Sequence, residues 1–200
     1  MYPLVESIRI ENRQLHHLDL HNQRINMARK IVYGFDEPID IETIVKIPDF
    51  ITEGIYKCRI NFFPDKIDYT ITPYVQRVIR TLKIIHNNSI DYTFKSENRL
   101  QLDAAFELRG NCDDIIIVKN GHITDAWAAN IILFDGTSWV TSDTPLLKGI
   151  QREFLLSEGV IAAREITIDH LFEYKKIKLI NAMIDFDRAP EIIISENVFI

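Results

Sequence analysis

The sequence predicts an α/β protein built as two small α/β lobes, an N-terminal lobe over residues 1–86 and a C-terminal lobe over residues 87–200. Three observations predict it. Short β-rich runs and helical stretches are interspersed along the chain rather than segregated. Hydrophobic residues make up 46% of the 200, enough to fill one large core or two small ones. A polar break, His86-Asn87-Asn88-Ser89, interrupts the pattern where a boundary between compact units would fall.

Leu4 to Ile10 alternates and is β-rich, which predicts a strand turning at Asn12-Arg13. Leu18 to Tyr33 is of helical composition, with apolar residues at Leu20, Ile25, Ala28 and Ile31-Val32, and Gly34 is placed to end it. Ile55 to Phe63 and Lys66 to Tyr74 are extended runs split by Pro64-Asp65, as in a hairpin, and Val78 to Ile85 is again β-rich. Beyond the polar break, Asn98 to Arg109 predicts a helix stopped by Gly110. Asp114 to Lys119, Ile123-Thr124 and Asn130 to Phe134 predict short strands, with turns at Asn120-Gly121 and Asp135-Gly136. Gly149 to Ala163 predicts a further helix, and Glu165 to Ile168, Ile177 to Met183 and Glu191 to Ile194 the closing strands.

Composition excludes several functions. A net charge of −6 argues against a phosphate-tracking nucleic-acid binder, which needs a basic face. Cys58 and Cys112 are too few for a disulfide framework and lack metal-ligand spacing. His16, His17 and His21 cluster at a helix entry without matching carboxylates, so they are structural or solvent-exposed rather than metal ligands. The N-terminus lacks the basic and apolar regions of a signal peptide, and no apolar run is long enough for a membrane span. A soluble, cytoplasmic protein is expected.

The chemistry-bearing segments are Phe94-Lys95-Ser96-Glu97-Asn98-Arg99-Leu100 and Thr124-Asp125-Ala126-Trp127-Ala128-Ala129-Asn130. On residue type alone, Lys95 reads as a solvated amine and Asp125 as a turn-forming residue after a strand. Three further segments accompany them in order: His21-Asn22-Gln23-Arg24-Ile25, Gly149-Ile150-Gln151-Arg152 and Asn181-Ala182-Met183. Each alone is a weak signal, since a glycine opening a helix is common and an arginine on an amphipathic helix usually faces water.

Taken collinearly, these segments resemble the class IV aminotransferase family. Its members are pyridoxal 5′-phosphate (PLP) enzymes of fold type IV, with the architecture of D-amino-acid aminotransferase. Within the family the wording is closer to the 4-amino-4-deoxychorismate lyases than to the branched-chain or D-amino-acid aminotransferases. The resemblance implies two lobes with the cofactor cleft between them. It implies that Lys95, opening a Lys-x-x-Asn-Arg-Leu segment, bonds the PLP aldehyde and is the catalytic base. Asp125 would keep the ring nitrogen protonated, so that the ring can act as an electron sink; the family has Glu at this step, one methylene longer. Asn130 would join it, or simply fix the loop. Arg24, the backbone amides of Gly149, Ile150 and Gln151, and Asn181-Ala182 would hold the phosphate.

On the substrate side, Glu6-Ser7-Ile8-Arg9-Ile10 resembles a family strand that places a hydroxyl, here Ser7, near the reacting carbon. Arg9 and Arg59 are candidates for a substrate carboxylate, although arginines on such strands are as often surface residues. The resemblance further implies a small amino substrate and a homodimer, with no nucleic-acid or membrane partner. It implies a lyase forming 4-aminobenzoate and pyruvate for folate synthesis, with an aminotransferase or a non-catalytic relative as alternatives. The chain enters its first strand at Leu4, without the hairpin of longer relatives, and is shorter between Tyr74 and Lys95. The lid and part of the dimer surface are therefore expected to differ.

Overall fold

The structure, a computed structural model, describes residues 2–195 and 198–199. The chain forms two compact units, the first running to Gln76 and taking in Phe94–Asn98, the second made of Arg77–Thr93 and the chain from Arg99. The α/β class holds in both.

The first unit is built on β1 (Leu4–Glu11), β2 (Gln14–Leu15), β3 (Ile55–Phe62) and β4 (Ile67–Pro73), an antiparallel sheet of order β2-β1-β3-β4. Helices α1 (Leu18–Tyr33) and α2 (Ile41–Ile44) complete it. Alternation along β1 and β3 puts Leu4, Ile8, Ile10, Cys58, Ile60 and Phe62 in one core with Ile25 and Ala28 of α1. The turn at Asn12-Arg13 has both residues left-handed, with φ of 51° and 61°, as a two-residue hairpin with right-handed strand twist requires. Gly34 ends α1 at φ 75°, and the Phe35 amide returns to the Arg29 carbonyl at 3.4 Å. An L side chain at Gly34 would be strained there.

The second unit holds β5 (Leu82–His86), α3 (Leu100–Glu107), β6 (Asp114–Lys119) and β7 (His122–Ile123). These give a three-stranded sheet of order β5-β6-β7. It also holds β8 (Asn130–Phe134), β9 (Trp139–Ser142), α4 (Ile150–Ser157), β10 (Ile161–Arg164), β11 (Lys176–Ile180) and β12 (Ile192–Ile193). The order of that sheet is β10-β9-β8-β11-β12. Strand β6 is buried on both faces: Ile115 and Ile117 pack with Leu102 and Ala105 of α3, while Ile116 and Val118 join the core beneath the five-stranded sheet. Its uninterrupted apolar run follows from that double burial.

The structure corrects several expected elements. The stretch Leu82–His86, read as lying ahead of the boundary at 86, pairs in parallel with β6 and so belongs to the second unit. The helix read over Gly149 to Ala163 stops at Ser157, because Gly159 turns left-handed at φ 67° and Ile161–Arg164 pairs in parallel with β9. Glu165 to Ile168 is not a strand, and a 3-10 helix, Ile168–Glu173, follows. The helix after Lys95 begins only at Leu100, leaving Ser96 in an extended bridge to Leu4. Among the described residues no helix is long and apolar enough to cross a membrane.

Candidate active site

In the first unit, strand β1 organises the candidate residues. Its edge near Leu4 receives the lysine segment: the Val5 amide donates to the Lys95 carbonyl at 2.8 Å, and the Glu97 amide to the Pro3 carbonyl at 3.0 Å. The next residue along the strand, Glu6, sits on the core face with Leu4, Ile8 and Ile10, and is 1% exposed. Its carboxylate accepts from Arg24 Nε at 2.8 Å and Nη2 at 2.5 Å, and from Nδ1 of the fully buried His21 at 2.6 Å. His21 and Arg24, one helical turn apart on α1, thus converge on one carboxylate.

The electrostatics of this cluster are set by burial first. Burial alone would raise the Glu6 carboxyl, but Arg24 and His21 outweigh it and hold it at about 2. Burial lowers the His21 imidazole, and the Glu6 carboxylate only partly opposes this. The charge of Lys95 also reaches His21 and adds to the lowering. A carboxylate held below its ordinary value contributes stability above about 4.5, lost as the pH falls through about 2.

The second unit brings Asp125, Asn130, Gly149 and Asn181 together. Asp125 is 5% exposed, and its carboxylate accepts from Asn130 Nδ2 at 2.5 Å and the Leu147 amide at 3.0 Å. Burial pushes its carboxyl up to about 6, with those hydrogen bonds and Arg152 opposing. Asn130 also donates to the Leu147 carbonyl at 2.8 Å, so one side chain ties the carboxylate to the turn before α4. Strand register places Asn130 opposite Ile180, and Asn181 donates to the Ala128 carbonyl at 3.1 Å while accepting from the Met183 amide at 2.9 Å. Ala182 lies half-buried in the same turn.

Helix α4 begins after Gly149 without a side-chain cap, so the amides of its first turn keep the donor capacity that suits an anion. Ile150 and Gln151 are buried behind that turn, and Arg152 fixes it by donating to the Ser142 carbonyl at 2.8 Å. A Cβ on Gly149 would lie 2.0 Å from Asn130 Oδ1. Gly149→Ala should therefore displace Asn130 and with it Asp125, costing about 1–3 kcal/mol of stability for the broken buried hydrogen bonds. Thermal melting checks this, and an unchanged melting temperature would contradict it.

Ser7 and Arg59 are register partners across β1 and β3 and share the face opposite the core. Arg59 is about one-third exposed and lies 3.5 Å from Glu97. Arg9 is buried and its guanidinium is paired with Glu11. Sequence reading did not single out Glu6 or the buried pairing of His21; the available signal was a lone acid on a strand face otherwise made of Leu4, Ile8 and Ile10.

The sequence profile of Amino-transferase class IV matches residues 58–189. An uncharacterized protein of Haemophilus influenzae is 34% identical over 185 residues, spanning 92% of this chain and 98% of that protein. Among solved structures, a "putative 4-amino-4-deoxychorismate lyase" of Haemophilus somnus 129pt gives a TM-score of 0.85 at 35% identity, over 92% of this chain and 97% of the other. A "putative amino-acid aminotransferase" of Mesorhizobium loti gives a TM-score of 0.81 at 18% identity, over 96% of this chain and 99% of the other, a likeness of fold.

Proposed function

This chain belongs to the class IV amino-transferase family, and on that premise we propose that it is a PLP-dependent 4-amino-4-deoxychorismate lyase, releasing 4-aminobenzoate and pyruvate. The observation that carries the finer assignment is the 35% identity, over nearly the whole of both chains, to the structure described as a "putative 4-amino-4-deoxychorismate lyase". The Lys95, Asn98-Arg99-Leu100 and Asn181-Ala182-Met183 wording supports the same choice.

The residues fit the cofactor on chemical grounds. Burial raises the Asp125 carboxyl to about 6 even against its hydrogen bonds and Arg152, and a protonated pyridine nitrogen would add a cation that favours its charged form. Arg24 and the uncapped first turn of α4 suit the phosphate, and Asn181-Ala182 borders the loop that carries Asp125. Lys95 supplies the amine for the aldehyde. When bound, PLP supplies an electron sink for the carbanion left by proton removal.

The division of labour among the side chains follows. Lys95 Nζ would take the α-proton of the substrate and, with the Ser7 hydroxyl, would return a proton to the departing three-carbon fragment. Asp125 holds the ring-nitrogen proton and Asn130 holds Asp125. Arg59, about one-third exposed, suits a substrate carboxylate better than Arg9, which is buried and paired with Glu11. A homodimer and a small amino substrate are part of the same reading.

The test supplies aminodeoxychorismate alone and, separately, leucine, glutamate or D-alanine with 2-oxoglutarate. The proposal requires equal amounts of 4-aminobenzoate and pyruvate from the first, with no amino acceptor. Amino transfer without 4-aminobenzoate would make the chain an aminotransferase, and silence in both assays a non-catalytic relative.

A further inference from the structure

We propose that Glu6 and His21 are positioning residues that hold the Arg24 guanidinium in a single orientation, making the cofactor site selective for a phosphorylated ligand. The inference rests on the PLP reading above and goes beyond it in naming what aims the phosphate-binding arginine.

The geometry is a two-nitrogen fork. Glu6 takes Arg24 through Nε at 2.8 Å and Nη2 at 2.5 Å, one carboxylate oxygen each, which fixes the plane of the guanidinium and turns Nη1 away from the carboxylate. His21 Nδ1 at 2.6 Å fixes Glu6 in turn, through the oxygen that also meets Nη2. Arg24 keeps 18% of its side-chain exposure, whereas Glu6 and His21 are at 1% and 0%. The outermost member is thus presented by two that never reach solvent.

Stability alone does not account for this arrangement. The other members of the same β1 face, Leu4, Ile8 and Ile10, are apolar and fully packed. Replacing a buried ionic cluster by apolar side chains of similar volume is often neutral or stabilising, so a buried acid-imidazole-guanidinium set there calls for another role. Strand β1 also supplies a common reference frame. Val5 holds the Lys95 carbonyl and Glu6, the next residue, holds Arg24, so the amine for the aldehyde and the arginine for the phosphate are set from adjacent residues.

Two effects of Glu6 oppose each other, and their sign separates the readings. Its negative charge weakens the attraction of Arg24 for a phosphate, while its fork removes the cost of ordering a long side chain. If orientation wins, removing the charge weakens phosphate binding; if electrostatics wins, it tightens it.

The experiment measures the affinity of the apo-protein for PLP and for pyridoxal, which lacks the phosphate, by spectroscopic titration. The proteins compared are the wild type, Glu6→Gln, Arg24→Lys, Arg24→Ala and the Glu6→Gln/Arg24→Ala pair. Glu6→Gln is expected to weaken PLP roughly ten- to hundred-fold, the range of a lost charge-assisted contact, and to leave pyridoxal unchanged. The double variant should be no weaker than Arg24→Ala, because both act through one guanidinium. Arg24→Lys, which keeps the charge at a partly exposed position but cannot form the fork, should fall close to Arg24→Ala and covers the case in which Glu6→Gln fails to fold. Retained or tightened PLP binding in Glu6→Gln, equal loss of PLP and pyridoxal, or wild-type affinity in Arg24→Lys would overturn the proposal. A wild type that binds neither compound would overturn the PLP reading itself, a result distinct from each of these.

Discussion

Asp125→Asn is expected to lower turnover by roughly 10²- to 10⁴-fold, the kinetic equivalent of about 3–5 kcal/mol for removing one partner of a buried charge pair. In the proposed mechanism the charge of Asp125 keeps a proton on the ring nitrogen, which an amide cannot do, so the electron sink would be lost while the ring would still bind. The fold should survive. Asn130 and the Leu147 amide both donate to the carboxylate, so the variant amide satisfies one of them and opposes the other. The pH dependence separates this from general damage. Because the folded carboxyl is raised from 3.8 to about 6, its contribution to apo-protein stability is fully present below 3.8 and lost as the pH rises through about 6. The wild type should therefore show that falling limb in a melting-temperature profile, and Asp125→Asn should lack it. Near-normal kcat/KM in the variant would remove Asp125 from the mechanism.

Lys95→Ala is expected to give a colourless protein, in excess PLP, with no detectable turnover. In the proposed mechanism the amine that bonds the aldehyde is the same one that moves the proton, so no second group would restore either step. The variant should fold normally. Two contacts that hold this segment run through backbone atoms, Val5 N–H to the carbonyl of residue 95 and Glu97 N–H to the carbonyl of Pro3, and alanine retains both. An unchanged far-ultraviolet spectrum with loss of the visible band is the expected pair of results. A variant that keeps the band would place the aldehyde on another amine.

Much of this architecture was legible in local sequence. The helix from Leu18 to Tyr33 and the turns at Asn12-Arg13 and Asn120-Gly121 are written in residues within a few positions of each other, because caps and tight turns are local chemistry. The end of α4 was not. Val160-Ile161-Ala162-Ala163 continues an apolar pattern that helix and strand both accept, and its strand identity comes from pairing with Trp139–Ser142, a non-local partner. The boundary between units moved for the same reason, since Leu82–His86 is placed by β6.

The candidate site divides in a similar way. Lys95, Asp125 and Arg24 carry their expected roles through resemblance, which no spacing or periodicity of this chain would have supplied. Glu6 escaped notice because a glutamate in a β-rich run reads as a solvent-facing residue, and only the face shared with Leu4, Ile8 and Ile10 shows it to be buried. Arg9 is the converse. An arginine on a strand face shared with Ser7 and Glu11 reads as available, yet it is 2% exposed and paired with Glu11.

The most direct test of the central claim is chemical. The purified protein is saturated with PLP, reduced with borohydride to fix any link between amine and aldehyde, and digested for peptide mass spectrometry. The account predicts the pyridoxyl-phosphate adduct on the peptide carrying Lys95, and its absence from peptides carrying Lys57, Lys83 and Lys119. An adduct confined to any of those three lysines, or no adduct at all, would contradict it.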